Sequence, residues 1–71
     1  MLTRVIRNLE GEYFKSGGAW TMNFNDAERF VNVSAVLSTR TQFRLSGVEL
    51  VLVVHDKPSA RYDVVLPLSN A

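Results

Sequence analysis

Between Val48 and Val54, apolar side chains fill almost every position. In an extended chain Val48, Leu50, Leu52 and Val54 share one face, while Val51 and Val53 follow Glu49 on the other. A second run places Tyr62, Val64, Leu66 and Leu68 together by the same alternation. Successive side chains of a strand point to opposite faces, so a period of two predicts strands. Lys57-Pro58-Ser59 supplies turn chemistry between the runs, and the pair predicts an antiparallel hairpin. The apolar faces coincide when Val54 pairs with Tyr62, Leu52 with Val64 and Leu50 with Leu66. A slip of one residue turns one set outward, so the pattern itself selects this register. Pro67 has no N–H to donate and belongs at a strand end or an edge.

The first half of the chain is less regular. Residues 2–8 mix Val5 and Ile6 with Arg4 and Arg7 and read as an edge strand. Residues 19–24 alternate Trp20, Met22 and Phe24 against Thr21 and Asn23, a half-buried strand. Between them, residues 10–18 read as a long connection bearing Tyr13 and Phe14, with a turn at Ser16-Gly17-Gly18. Residues 25–40 decide the fold class. As a helix, Asn25 is the N-cap and Glu28 completes a capping box. Ala27, Phe30, Val31, Ser34 and Leu37 then share a face. As a strand from about residue 29 to residue 40, Val31, Val33, Ala35 and Leu37 point one way. The density of β-branched residues and serines favours the strand, because both residue types weaken a helix. The expected fold is mostly β: a small antiparallel sheet, or an SH3/Sm-like barrel, of about five strands. The alternative is α+β, a four-stranded antiparallel sheet with one helix over residues 26–38.

With 71 residues the chain allows one domain with a small core. There is no cysteine, which excludes disulfides and thiolate metal sites. The composition is that of a folded domain, 46% hydrophobic with a net charge of +1. That charge provides no general field for a polyanion. The longest unbroken apolar run, Leu50 to Val54, is far short of the ~20 residues a membrane-spanning helix needs. No apolar segment precedes Arg4 and Arg7, so no signal peptide is expected, and a cytoplasmic location is.

Candidate chemistry is sparse. His55 is the sole histidine and stands beside Asp56, but a triad needs a nucleophile held against the base. Ser46 and Ser59 read as turn residues, and Glu10, Glu12, Asp26 and Glu28 as solvated charges. No enzyme activity, cofactor or metal is expected. Lys15-Ser16-Gly17-Gly18 lacks the spacing of a phosphate loop. Nucleic acid is the more serious alternative: Arg40, Gln42 and Arg44 alternate along an extended chain, with Lys15, Tyr13 and Phe14 as possible stacking and charge partners. The near-neutral charge makes such binding weak. The remaining feature is a second apolar face. In an all-β fold Val51, Val53 and Val65, joined by Val36, lie on the outside and mark an interface. The expectation is therefore a small non-catalytic β interaction module that self-associates or binds a protein partner through an apolar sheet face or edge.

Overall fold

A computed structural model describes residues 2–57 and 60–68. The elements are β1 (Leu2–Asn8), β2 (Tyr13–Lys15), β3 (Ala19–Thr21), a 3-10 turn (Phe24–Asp26), α1 (Val33–Gln42), β4 (Val48–Lys57) and β5 (Ala60–Pro67). The strands form one five-stranded sheet in the order β3-β2-β1-β4-β5, each neighbouring pair antiparallel. The fold is thus mostly β, an open antiparallel sheet with one helix rather than a closed barrel.

The C-terminal hairpin has the register expected from its alternation: Val54 faces Tyr62, Leu52 faces Val64 and Leu50 faces Leu66. Pro58 and Ser59 of the expected turn lie outside the described residues. β1 has the expected limits but is central, pairing with β4 along its whole length from Leu2↔Val54 to Asn8↔Val48. Its apolar pair explains the position. Val5 and Ile6 are both fully buried, one on each face of the sheet, as a central strand requires. The expected long connection over residues 10–18 contains β2. Asn8 makes the first turn, its Oδ1 accepting from the N–H groups of Glu10 (3.0 Å) and Glu12 (2.9 Å). The second turn needs Gly18, whose φ is +87° and where a Cβ would stand 3.2 Å from the Phe43 ring.

The strand expected over residues 29–40 is a helix, and it lies later than the alternative over residues 26–38. Asn32, not Asn25, is the N-cap: its backbone is extended and its Oδ1 accepts from Ala35 N–H at 2.9 Å. Asn25 instead stands within the 3-10 turn, which is capped by Asn23. The β-branched residues and serines of α1 disfavour a helix locally, and packing overrides them. Val36 is buried with Ile6, Phe14, Phe30, Val48 and Leu50 in the core on this face of the sheet. Phe14 anchors that core, with Trp20, Phe30 and Phe43 rings at 5.7, 6.4 and 5.3 Å.

Because α1 has weak intrinsic propensity, its cap should matter. Asn32→Ala is expected to lower stability by about 1 kcal/mol, read as a shift in the urea midpoint with an unchanged slope. An unchanged midpoint would show that the cap contributes nothing.

Candidate interaction surface

The sheet has two apolar faces, and they are covered differently. On the first, α1 stands over the Ile6, Phe14 and Leu50 core. On the second, Val5, Val51, Val53 and Ala27 form a separate core, with Tyr13 and Phe24 packed against it. The cover there is the segment around the 3-10 turn. Its backbone is tied to the sheet by Glu28 N–H donating to Phe14 C=O (2.9 Å) and Phe30 N–H donating to Arg4 C=O (3.0 Å). Ser16 Oγ adds a 2.6 Å bond to Glu28 Oε1. Ala27 belongs to the second core and Phe30 to the first, so this segment crosses from one face to the other beside β1.

Phe24 is the lid of the second core. Tyr13 meets it edge-on at 5.5 Å, and the guanidinium groups of Arg29 and Arg61 lie 5.4 and 4.4 Å from its centroid. A cation over a ring face is attracted by the ring quadrupole, so Arg61 of β5 ties the lid to the last strand. Arg61 also meets Asp63 at 3.2 Å. Nearby, Arg7 donates to Glu49 at 2.7–2.8 Å. That hydrogen bond is the main reason the Arg7 guanidinium is held above its ordinary value, with burial opposing it. Arg7 therefore stays charged at any working pH, and the pair loses its cation only in strong alkali.

These covers change the expected interface. Val36, Val51 and Val53 were expected outside and are each 0% exposed. Val36 is buried because it lies on α1 against the first core, and Val51 and Val53 because the second cover, a segment with no periodicity of its own, occupies the face that an all-β reading leaves bare. Val65 alone of the expected set is open, at 39%. The open apolar surface is on the first face instead. Tyr62, Val64 and Leu66 are 56%, 45% and 43% exposed, although their alternation marks them as interior. They continue the rungs of Val54, Leu52 and Leu50, of which Leu50 is buried and the other two half-buried. A helix about 10 Å wide covers roughly two strands at ~4.8 Å spacing. One helix cannot dry a face five strands wide, and the row on β5, at one edge, is left open.

β5 is also an edge. β4 is its only strand neighbour among the described residues, and all of Arg61 to Pro67 is exposed. Which of its backbone groups are free follows from ladder parity. Leu68 N–H donates to the directly opposite Val48 C=O. Hydrogen-bonded and non-hydrogen-bonded pairs alternate along an antiparallel ladder. Leu66, Val64 and Tyr62 therefore bond inward to β4, while Arg61, Asp63 and Val65 present N–H and C=O outward. Pro67 falls at an outward position, where β4 needs no donor from it.

The candidate nucleic-acid residues do not assemble. Phe14 is buried in the first core and Tyr13 half-buried beneath Phe24. Arg40 and Gln42 lie in α1, two positions apart and hence on opposite sides of the helix. Arg44 follows it at φ +53°. The stripe expected of an extended chain is gone, and Lys15 stands apart in β2. His55 is half-buried in β4 opposite Arg61. The Asp56 side chain lies outside the described residues. Among the described residues no group of three or more His, Cys, Asp or Glu is placed to hold a metal, and no helix is long and apolar enough to cross a membrane. Comparisons with family models, curated proteins and solved structures find no match to this chain.

The burial pattern separates two kinds of valine. Val51→Lys, placing a charge in the second core, is expected to unfold a domain whose total stability is of the order of 5 kcal/mol. Val64→Lys is expected to keep the native far-UV circular dichroism and a cooperative melt. If Val64→Lys unfolds the chain as Val51→Lys does, β5 is not the open surface.

Proposed function

We propose that the protein is a non-catalytic interaction module that binds an extended polypeptide along β5. The observation that carries this reading is the coincidence, on one strand, of free backbone groups and a contiguous apolar row. Strand addition takes its affinity from main-chain hydrogen bonds and its selectivity from pockets or faces that accept alternate side chains. Here the outward N–H and C=O groups of Arg61, Asp63 and Val65 provide the first. The row of Tyr62, Val64 and Leu66, backed by Leu52 and Val54, provides the second.

The other edge of the sheet is a poorer site. β3 is three residues long and offers little backbone to pair. The incoming strand at β5 gains most if its own alternate positions are apolar on the helix side and polar on the other. No side chain on that strand is asked to do chemistry.

The test is selection of peptides from a random displayed library against the immobilised protein. Enriched sequences are expected to alternate apolar and polar residues, to lose binding to Val64→Lys, and to keep binding to Arg40→Ala. Peptides that bind Val64→Lys and the parent chain equally would overturn the reading. A labelled single-stranded oligonucleotide serves as the comparison, and salt-sensitive retention abolished by Arg40→Ala but not by Val64→Lys would favour nucleic acid instead.

A further inference from the structure

Resting on that reading of β5, we infer that the strand it accepts is β5 of a second copy, paired antiparallel about a two-fold axis through Val64. A two-fold pairing places each residue opposite its mirror position, so the same patch serves both copies. Only Arg61, Asp63 and Val65 donate outward, and an outward residue must meet another outward residue. The axis therefore passes through a residue and not between two.

Four centres are then available, and the side chains choose among them. Centring on Asp63 sets two carboxylates directly opposite, which is destabilising. Centring on Tyr62 sets Arg61 of each copy against Asp63 of the other. Those exposed ion pairs are worth little, and Leu66 is left without an apolar partner among the described residues. Centring on Val65 puts Asp63 of one copy against Pro67 of the other, which has no N–H to offer the outward Asp63 C=O inside the seam.

Centring on Val64 removes these faults. On the helix side Val64 meets Val64, and Tyr62 of each copy meets Leu66 of the other, joining the two exposed rows into one. On the opposite side Arg61 of one copy faces Pro67 of the other and Asp63 faces Val65, so no like charges stand opposite each other. Pro67 C=O accepts from Arg61 N–H of the other copy, and Arg61 C=O, for which Pro67 has no N–H, stays in water at the end of the seam. Asp63 and Val65 exchange hydrogen bonds across the axis.

The absence of cysteine makes the geometry directly readable. The inward-bonded residues of β5 become non-hydrogen-bonded pairs across the new seam, with Cα atoms ~4.5 Å apart, within disulfide range. Under diamide, Val64→Cys is expected to form a covalent dimer at concentrations where light scattering of the parent chain gives twice the monomer mass. Tyr62→Cys and Leu66→Cys are each expected to stay monomeric alone and to cross-link when mixed. Each variant is exposed, and native circular dichroism confirms its fold beforehand.

Faster cross-linking of Tyr62→Cys alone than of Val64→Cys overturns the Val64 axis and leaves β5 pairing intact. A parent chain of monomer mass at every concentration, with no cross-link, overturns the second copy as occupant. The peptide selection then still decides whether β5 accepts strands at all.

Discussion

β4 is apolar on both faces, and no single partner element can keep both faces dry. Val48 and Leu50 point to one side, Val51 and Val53 to the other, and all four are buried. A strand of this kind belongs in the middle of three layers. The described residues offer one ten-residue helix as an outer layer. The second layer is made from irregular chain: a short 3-10 turn, an alanine and a phenylalanine clamped by two arginines. The remaining architecture follows from that division. β1 is drawn to the centre because it too is apolar on both faces at Val5 and Ile6. β2 is short, and the cover segment crosses between the faces alongside the stretch of β1 that it leaves unpaired.

What could be read from the sequence was whatever local alternation determines. The β4–β5 register, the limits of β1 and the turn at Ser16 to Gly18 all depend on neighbours a few positions apart. The helix was legible only as the alternative over residues 26–38, because its residues neither form a clean amphipathic stripe nor favour helix individually. Val33 and Leu37 are exposed while only Val36 is buried, so the pattern carries no strong period. Asn25 and Glu28 have the spacing of a capping box, but the helix begins behind Asn32. The second cover was invisible for a different reason. Phe24 and Ala27 reach Val51 and Val53 from far along the chain, and no spacing rule connects them.

The candidate surface shows the same limit from the other side. Tyr62, Val64 and Leu66 have the alternation of core residues and were read as such. Whether an apolar row is interior depends on whether something lies over it, and the width of a helix settles that, not the row itself. The expectation of an apolar sheet face or edge therefore stands as a proposal with different residues: Val65 belongs to the earlier set, and the other three members of that set are core. The charges around β5 are arranged in near-neutral pairs, Arg7 with Glu49 and Arg61 with Asp63, so the strand presents no net field to repel a copy of itself.

The unequal lengths of the two outer strands bear on how far this sheet can grow. Polymerisation through sheet edges requires each added unit to expose a fresh edge as good as the one it consumed. A chain docked through β5 exposes only β3, and three residues cannot template a further strand with useful affinity. Growth stops once β5 is occupied. A chain paired through β5 as proposed is in this way kept from fibre formation by the stub at its far side.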